Sequence, residues 1–354
     1  MISRKNYIGG NFFLDLNEIE KNNNKKNLFK NYSKENWCLS GRLSFLNILN
    51  FFKKKKIRTI YLPSYLCDSL IEPVKKLSFN IKFYNVDYCL NINDEFDKNS
   101  LILVIHYFGK EHSNFEEIRK NLKKNSYIIE DLSHVFLNKN CFFRKKNSIY
   151  FLTLRKHFNL LLGGFSNIKL LKNNNHKNEI DEIFYECFHA SFVKKFYLNS
   201  SITNLNFMEK YYLSKFEKYE KFISQNFTNF YFNKFIYNYI QKINLKSIYD
   251  KRKKNWNYLD NFLNGKFPKV FDSYNYDEVP LGYMIKVKNR DKFREKLKRN
   301  GIFTSIHWKL PKLISIKKYP ESYRLSNEIL TIPIDQRYDF KNMEYLAKKI
   351  IKLY

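Results

Sequence analysis

The stretch SIYFLTLRKHFNLLLGG, residues 148–164, runs from an apolar, strand-like segment through Lys156 to the pair Gly163-Gly164. Just upstream, IIEDLSH at 128–134 has the pattern of a short buried strand ending in Glu130 and Asp131, with His134 beyond. Each stretch sets a reactive polar side chain directly after an apolar strand. In an open sheet of parallel strands, that is where ligands sit.

The same texture continues on either side. A helix-like segment, SGRLSFLNILNFF (40–52), precedes the strand-like TIYL (59–62). A helical pattern at 69–77 then leads to IKFYNV (81–86) and LILVIHYF (101–108), and a further one at 115–123 leads to SYIIE (126–130). Strand–helix–strand units at this pace predict an α/β fold with a mostly parallel sheet and helices on both faces. Residues at about 169–254 are Asn- and Lys-rich, with helical stretches at 207–222 and 227–240 and a loop at 173–175. Aromatics at helical spacing there suit a core or a dimer contact rather than a platform for nucleobases. Past Arg252 come a strand at 279–287, a helix at 290–300, a strand at 302–308 and a last helix at 342–353, the pattern of a small α+β domain. The expected division is a large domain over 1–250, its Asn/Lys-rich helical part at about 170–250, and a small C-terminal domain over 251–354.

Composition narrows the function classes. The chain has 354 residues, and apolar types make up 44%, enough for a sizeable core. Lys and Arg number 64 against 34 Asp and Glu, a formal charge of +30. Such a balance suits a polyanion partner. However, the lysines are scattered rather than gathered on one face, and Asn, Ile, Phe and Tyr are enriched with them, as AT-rich codon usage would produce. No zinc, helix-turn-helix or RNA-binding signature accompanies the charge, so no specific nucleic-acid partner is expected. The five cysteines (Cys38, Cys67, Cys89, Cys141, Cys187) form no CxxC pair and no ligand cluster with histidine, which argues against a disulfide framework and a metal site. The N-terminus lacks the apolar core of a secretory signal, and no run reaches the ~18 apolar residues of a membrane span. A cytoplasmic protein is expected.

The chemistry resides in a few positions. A strand-end aspartate followed by a lysine between a strand and a Gly-Gly turn suggests pyridoxal 5'-phosphate (PLP) as cofactor. Lys156 would bond the cofactor through its amine, and Asp131 would hold the pyridine nitrogen protonated. Alone, Lys156 reads equally as a surface residue of a lysine-rich chain, and Asp131 as a helix cap. Ser40, Gly41 and Arg42 open the first strong helix, and the free N–H groups of a helix N-terminus suit a phosphate. Thr153 adds a hydroxyl nearby, Tyr65 offers a ring to stack on the cofactor, and His134 offers an imidazole to its ring side.

These stretches, with YLPSYLCDSLIEP (61–73), IHWKLP (306–311) and LTIPIDQRY (330–338), resemble the DegT/DnrJ-type sugar aminotransferases of PLP fold type I. The match keeps the family's order over most of the chain and is poorest in the Asn/Lys-rich middle. The resemblance implies an aspartate-aminotransferase-like large domain, a small C-terminal domain, and a homodimer with shared active sites. It implies amino transfer from an amino acid to a keto-sugar carried on a nucleotide, in a setting such as polysaccharide biosynthesis. It makes Lys156 and Asp131 catalytic, assigns Ser40, Gly41, Arg42, Tyr65, His134 and Thr153 to the cofactor, and sets His307 and Trp308 near the substrate mouth. Arg42 replaces the family's usual threonine, and Leu162 stands where an acid often precedes the Gly-Gly pair. A branch of the family has histidine in place of the lysine and dehydrates sugars, so the neighbouring His157 raises a question of register. A dehydratase-like reaction and a catalytically inactive relative are the alternatives.

Overall fold

The computed structural model describes residues 7–13, 33–135, 148–158, 160, 162–169, 177–200, 205–225 and 233–354. The loop expected at 173–175 lies outside them. The centre is a seven-stranded sheet in the order β2-β8-β7-β6-β5-β3-β4. Its strands are β2 (Trp37–Cys38), β3 (Thr59–Pro63), β4 (Asn80–Tyr84), β5 (Ser100–Ile105), β6 (Tyr127–Asp131), β7 (Ile149–Thr153) and β8 (Gly164–Ser166). From β4 through β3, β5 and β6 to β7 every pairing is parallel, and β8 and β2 complete the sheet by antiparallel pairings. This is the mostly parallel α/β architecture expected from the alternation.

Each strand's place follows from its sequence. The SLILVI of β5 is buried throughout, as a central parallel strand covered on both faces must be. Each of its large apolar side chains contributes roughly 1.5–3 kcal/mol by leaving water. The edge strand β4 is half exposed instead. The chain runs from β4 over β3 to reach β5, so the order reverses there, and ligands gather beyond the strand ends at such a switch. The parallel register puts Ile105, Asp131 and Phe151 side by side, so β5, β6 and β7 deliver their following residues to one edge.

Helix α1 (Gly41–Lys54) packs on the sheet, its N-terminus capped by the Ser40 hydroxyl, which accepts from the Leu43 N–H at 3.3 Å. Short α2 (Ile71–Lys76) and α3 (Phe115–Lys120) connect strands. The Asn/Lys-rich region is helical: α4 (Lys177–Asn199), α5 (Asn206–Gln225) and α6 (Lys234–Lys242). Their buried residues, among them Phe184, Tyr219 and Tyr239, join one apolar cluster with Leu152 and Phe165 of the sheet. The aromatics of this region thus do build core.

A further cluster begins in α7 (Leu245–Leu263) and joins β9 (Tyr283–Lys286), α8 (Arg290–Arg299), β10 (Ile302–Phe303), β11 (Ile329–Ile332) and α10 (Phe340–Leu353). Between β10 and β11 stands α9 (Pro320–Glu328). Strands β9 and β11 pair antiparallel. The expected strand at 279–287 shortens to Tyr283–Lys286, since Pro280 has no N–H to pair. The one at 302–308 shortens to Ile302–Phe303, which pairs in parallel with β1 (Ile8–Gly9) near the other end of the chain. Gly9 permits that pairing: its φ is +93°, and a Cβ there would stand 1.9 Å from the Phe303 carbonyl oxygen. No described helix is long and apolar enough to cross a membrane.

Candidate active site

Beyond the ends of β3, β6 and β7 lies a cavity of about 270 Å³. Ser40, Gly41 and Arg42 line one end, and Asp131, Ser133, Thr153 and Lys156 line the rest. A larger cleft of about 680 Å³ adjoins it. Arg155, Lys156, Glu220 and Trp308 line both. Lys156 therefore sits where a small inner chamber meets an outer one.

The protonation state of Lys156 can be worked out from its neighbours. Its Nζ lies 2.6 Å from His134 Nε2. On the other side of that ring, the Phe108 N–H donates to His134 Nδ1 at 3.2 Å. An imidazole nitrogen that accepts a hydrogen bond carries no proton, so the proton sits on Nε2. A second proton on the ring is disfavoured, because burial first, and then the positive charge of Lys156, hold His134 well below the usual histidine value. The Nε2–H must then donate to Nζ, which requires a lone pair on the amine. Burial likewise lowers the Lys156 pKa, against the opposing pull of Asp131. Burial and the His134 contact thus both favour the neutral amine of Lys156 over its ammonium form.

Asp131 is almost wholly buried at the end of β6. One carboxylate oxygen accepts from the Ser133 N–H at 2.8 Å. Burial raises its pKa, with Lys156 and Ser133 opposing. A bound group with a protonated ring nitrogen would give this buried carboxylate a cationic partner.

At the opposite end, Gly41 lies close against β7. A Cβ there would stand 3.1 Å from Thr153 Cβ and 3.4 Å from the Leu152 carbonyl oxygen. Thr153 lines the cavity with its hydroxyl donating to the Gly163 carbonyl at 3.2 Å. Arg42 lines it too and is ion-paired to Glu72 at 3.1 Å.

Trp308 divides the two chambers. It stacks on His134 with centroids 5.0 Å apart, and the Lys156 ammonium position is 5.3 Å from its ring centre. His307 lines only the outer cleft, its Nδ1 is 2.7 Å from the Thr331 hydroxyl, and burial with Lys156 nearby lowers its pKa to about 3.

Tyr65 does not line the inner cavity; it is fully buried behind the wall, packed on Tyr107 and Trp308. Cys67, two residues on, takes the wall position. The loop after β3 turns its bulky ring into the apolar core and its smaller thiol toward the cavity, which alternation along the chain could not foretell. His157 lines neither chamber, and its carbonyl accepts from Gln336 Nε2 at 2.9 Å. The structure brings Ser40, Gly41, Arg42, Asp131, Thr153, Lys156 and Trp308 around one cavity, with His134 bonded to the lysine. Sequence reading missed Cys67, Arg155 and Glu220. Arg155 could have been noticed beside Lys156, but Glu220 has no local signal in α5.

No family model matches the chain, and no curated protein does. Solved structures do. Spr1654 of Streptococcus pneumoniae, known in apo, PLP and PMP forms, matches over 98% of this chain and 92% of its own, with TM-score 0.60 and 11% identity in the apo form. A DegT DnrJ EryC1 StrS aminotransferase from Brucella abortus matches over 89% and 84%, with TM-score 0.56 and 14% identity. Sugar aminotransferase CalS13 from Micromonospora echinospora matches over 90% and 87%, with TM-score 0.58 and 12% identity. This chain has the sugar aminotransferase fold. Within that fold, the inner cavity lies where the parallel strands end, and the described residues around it are those set out above.

Proposed function

We propose that the protein is a PLP-dependent aminotransferase that moves an amino group from an amino acid to a keto-sugar carried on a nucleotide. The observation that carries this reading is the half-buried Lys156 amine, in contact with the buried His134 and lining one cavity with the buried Asp131 carboxylate. The residues present fit the cofactor. Lys156 would hold it covalently, Asp131 its pyridine nitrogen, and the N-terminus of α1 with Thr153 its phosphate. When bound, PLP supplies an electron sink for the charge that develops as a C–H bond breaks next to nitrogen.

The chain's own groups then have distinct tasks. His134 keeps Lys156 in the free-base form, so its amine can take a proton at Nζ and return it. Asp131 holds a proton on the ring nitrogen. Trp308 narrows the passage between chambers and restricts water near Lys156. Besides Lys156, five arginines and lysines and two carboxylates line the outer cleft, a balance that favours an anionic acceptor. In this reading His307 and Trp308 border the acceptor, the protein works as a cytoplasmic homodimer, and its product enters surface-polysaccharide assembly. The division into a large domain over 1–250 and a small one over 251–354 is part of the same reading.

The test is an absorbance spectrum with added PLP, before and after glutamate, for wild type and Lys156→Ala. A visible band that needs Lys156 and bleaches with glutamate is expected. Full turnover by Lys156→Ala would end the proposal.

A further inference from the structure

We propose that Arg155 is the receptor for the α-carboxylate of the amino donor, and that Glu220 occupies this receptor as an internal competitor when no donor is present. The inference rests on the aminotransferase reading and extends it to two residues of this chain.

Geometry limits the candidates. In an α-amino acid the carboxylate is attached to the carbon that bears the nitrogen. A donor whose nitrogen takes over the position of Lys156 Nζ must therefore place its carboxylate within a few ångströms of that atom. Among the described residues, the cations that line the inner cavity are Arg42, Arg155 and Lys156. Arg42 sits at the α1 end, paired with Glu72 from α2. Arg155 adjoins Lys156 in the chain, lowers that lysine's proton affinity by its charge, and lines both chambers. The other arginines of the outer cleft are already committed. Arg337 is bound by both oxygens of Asp335, Arg252 donates to Gln336 and to the Leu281 carbonyl, and Arg294 donates to the Thr304 carbonyl.

Arg155 already holds a carboxylate in the manner a donor requires. Its two terminal nitrogens each donate to a different oxygen of Glu220, one at 3.3 Å. This fork is the arrangement by which guanidinium recognises a carboxylate. The Tyr219 ring lies 5.5 Å below the guanidinium carbon and fixes its plane. Glu220 itself is about half exposed at the rim on α5, so it can swing into solvent and yield its place. An exposed ion pair of this kind is worth little by itself and is readily exchanged. A donor tethered at its nitrogen competes as an intramolecular ligand, with the advantage of high effective concentration.

The two members of the pair predict opposite outcomes. Loss of the receptor raises the glutamate concentration that half-bleaches the visible band, and loss of the competitor lowers it. A purely structural ion pair would move both variants the same way. The experiment follows bleaching of the PLP-loaded protein by L-glutamate and by 4-aminobutyrate, which lacks the α-carboxylate, for wild type, Arg155→Gln and Glu220→Gln. With Arg155→Gln, half-saturation by glutamate rises on the order of 10- to 100-fold, and half-saturation by 4-aminobutyrate shifts far less. With Glu220→Gln, half-saturation by glutamate falls about 3-fold or more. A visible band in all three proteins with equal glutamate dependence overturns the receptor assignment and leaves the aminotransferase reading standing. A wild-type protein that forms no band overturns both.

Discussion

Replacement of Gly164 by alanine tests whether the Gly-Gly turn and the phosphate end of the cavity are one mechanical unit. A Cβ on Gly164 would stand 2.2 Å from the carbonyl carbon and oxygen of Ser40, and 2.7 Å from the Gly41 nitrogen. These are backbone atoms, so no rotamer change relieves the clash. Restoring an ordinary contact of about 3.4 Å requires the main chain at Ser40 to retreat by roughly 1 Å, and with it the N-terminus of α1. Overpacking of this kind costs about 1–3 kcal/mol of stability, with the upper end apt where backbone must move. The larger consequence is functional. A misplacement of about 1 Å in a binding constellation can cost on the order of 100-fold, so PLP affinity of Gly164→Ala should fall by roughly 30- to 100-fold. Gly265→Ala is the control: its φ is +75°, but a Cβ there meets nothing within 4 Å, so it costs about 1 kcal/mol of stability and leaves PLP affinity unchanged. Titration of the visible band with PLP, alongside urea denaturation, measures both quantities. A folded Gly164→Ala protein with wild-type PLP affinity would refute the mechanical coupling.

Three further outcomes follow from buried charges. Lys194 of α4 is buried, and its amine donates to the Asn11 carbonyl; burial, then the charge of Arg337, lower its pKa from 10.5 to about 7. The unfolded chain then binds that proton more tightly between pH 7 and about 10, so stability due to this group rises with pH across that window and is lowest below it, by up to ~4–5 kcal/mol. Lys194→Met should therefore be the more stable protein at pH 6, by roughly 2–4 kcal/mol in urea, with the gap closing toward pH 10; parallel pH profiles would contradict this. Buried Glu130 lies 3.0 Å from His106 Nε2, and the His112 N–H donates to His106 Nδ1, which leaves Nε2 to donate to the carboxylate. His106→Ala should cost about 1–3 kcal/mol in urea denaturation, because it removes one donor from a buried carboxylate that Ser148 also serves; no measurable cost would show that the pair contributes nothing to stability. Asp131→Asn keeps an acceptor for the Ser133 N–H and should match wild type in thermal denaturation, yet slow the bleaching of the visible band by glutamate by about 100-fold or more; unaltered bleaching would remove Asp131 from the site.

Much of the site could be read from the chain because parallel strands impose a common direction. Once 101–108, 126–130 and 148–153 are recognised as strands of one sheet, the residues that follow them must emerge at one edge. Asp131 and Lys156 are therefore neighbours in space as a consequence of topology. The helix start at Ser40-Gly41 was equally legible, since a hydroxyl before an apolar helical repeat marks an N-cap. Loops carried no such rule. Tyr65 reads as the ring beside the cavity, but packing against Tyr107 and Trp308 sends that ring inward and leaves Cys67 on the wall.

Sequence by itself thus determined the α/β class and which side chains follow the strand ends, because periodicity and strand polarity are local properties. The tertiary structure decided what depends on contact between distant segments. It set β1 against β10, put Trp308 between the chambers, and brought Glu220 from an Asn/Lys-rich helix onto Arg155. It also biased Lys156 toward its neutral form. That state depends on His134, whose proton is fixed by the Phe108 amide from another strand end, and on burial that no residue supplies alone. A side chain's type is written in the sequence, but its charge and its reach are set by the surroundings that folding assembles.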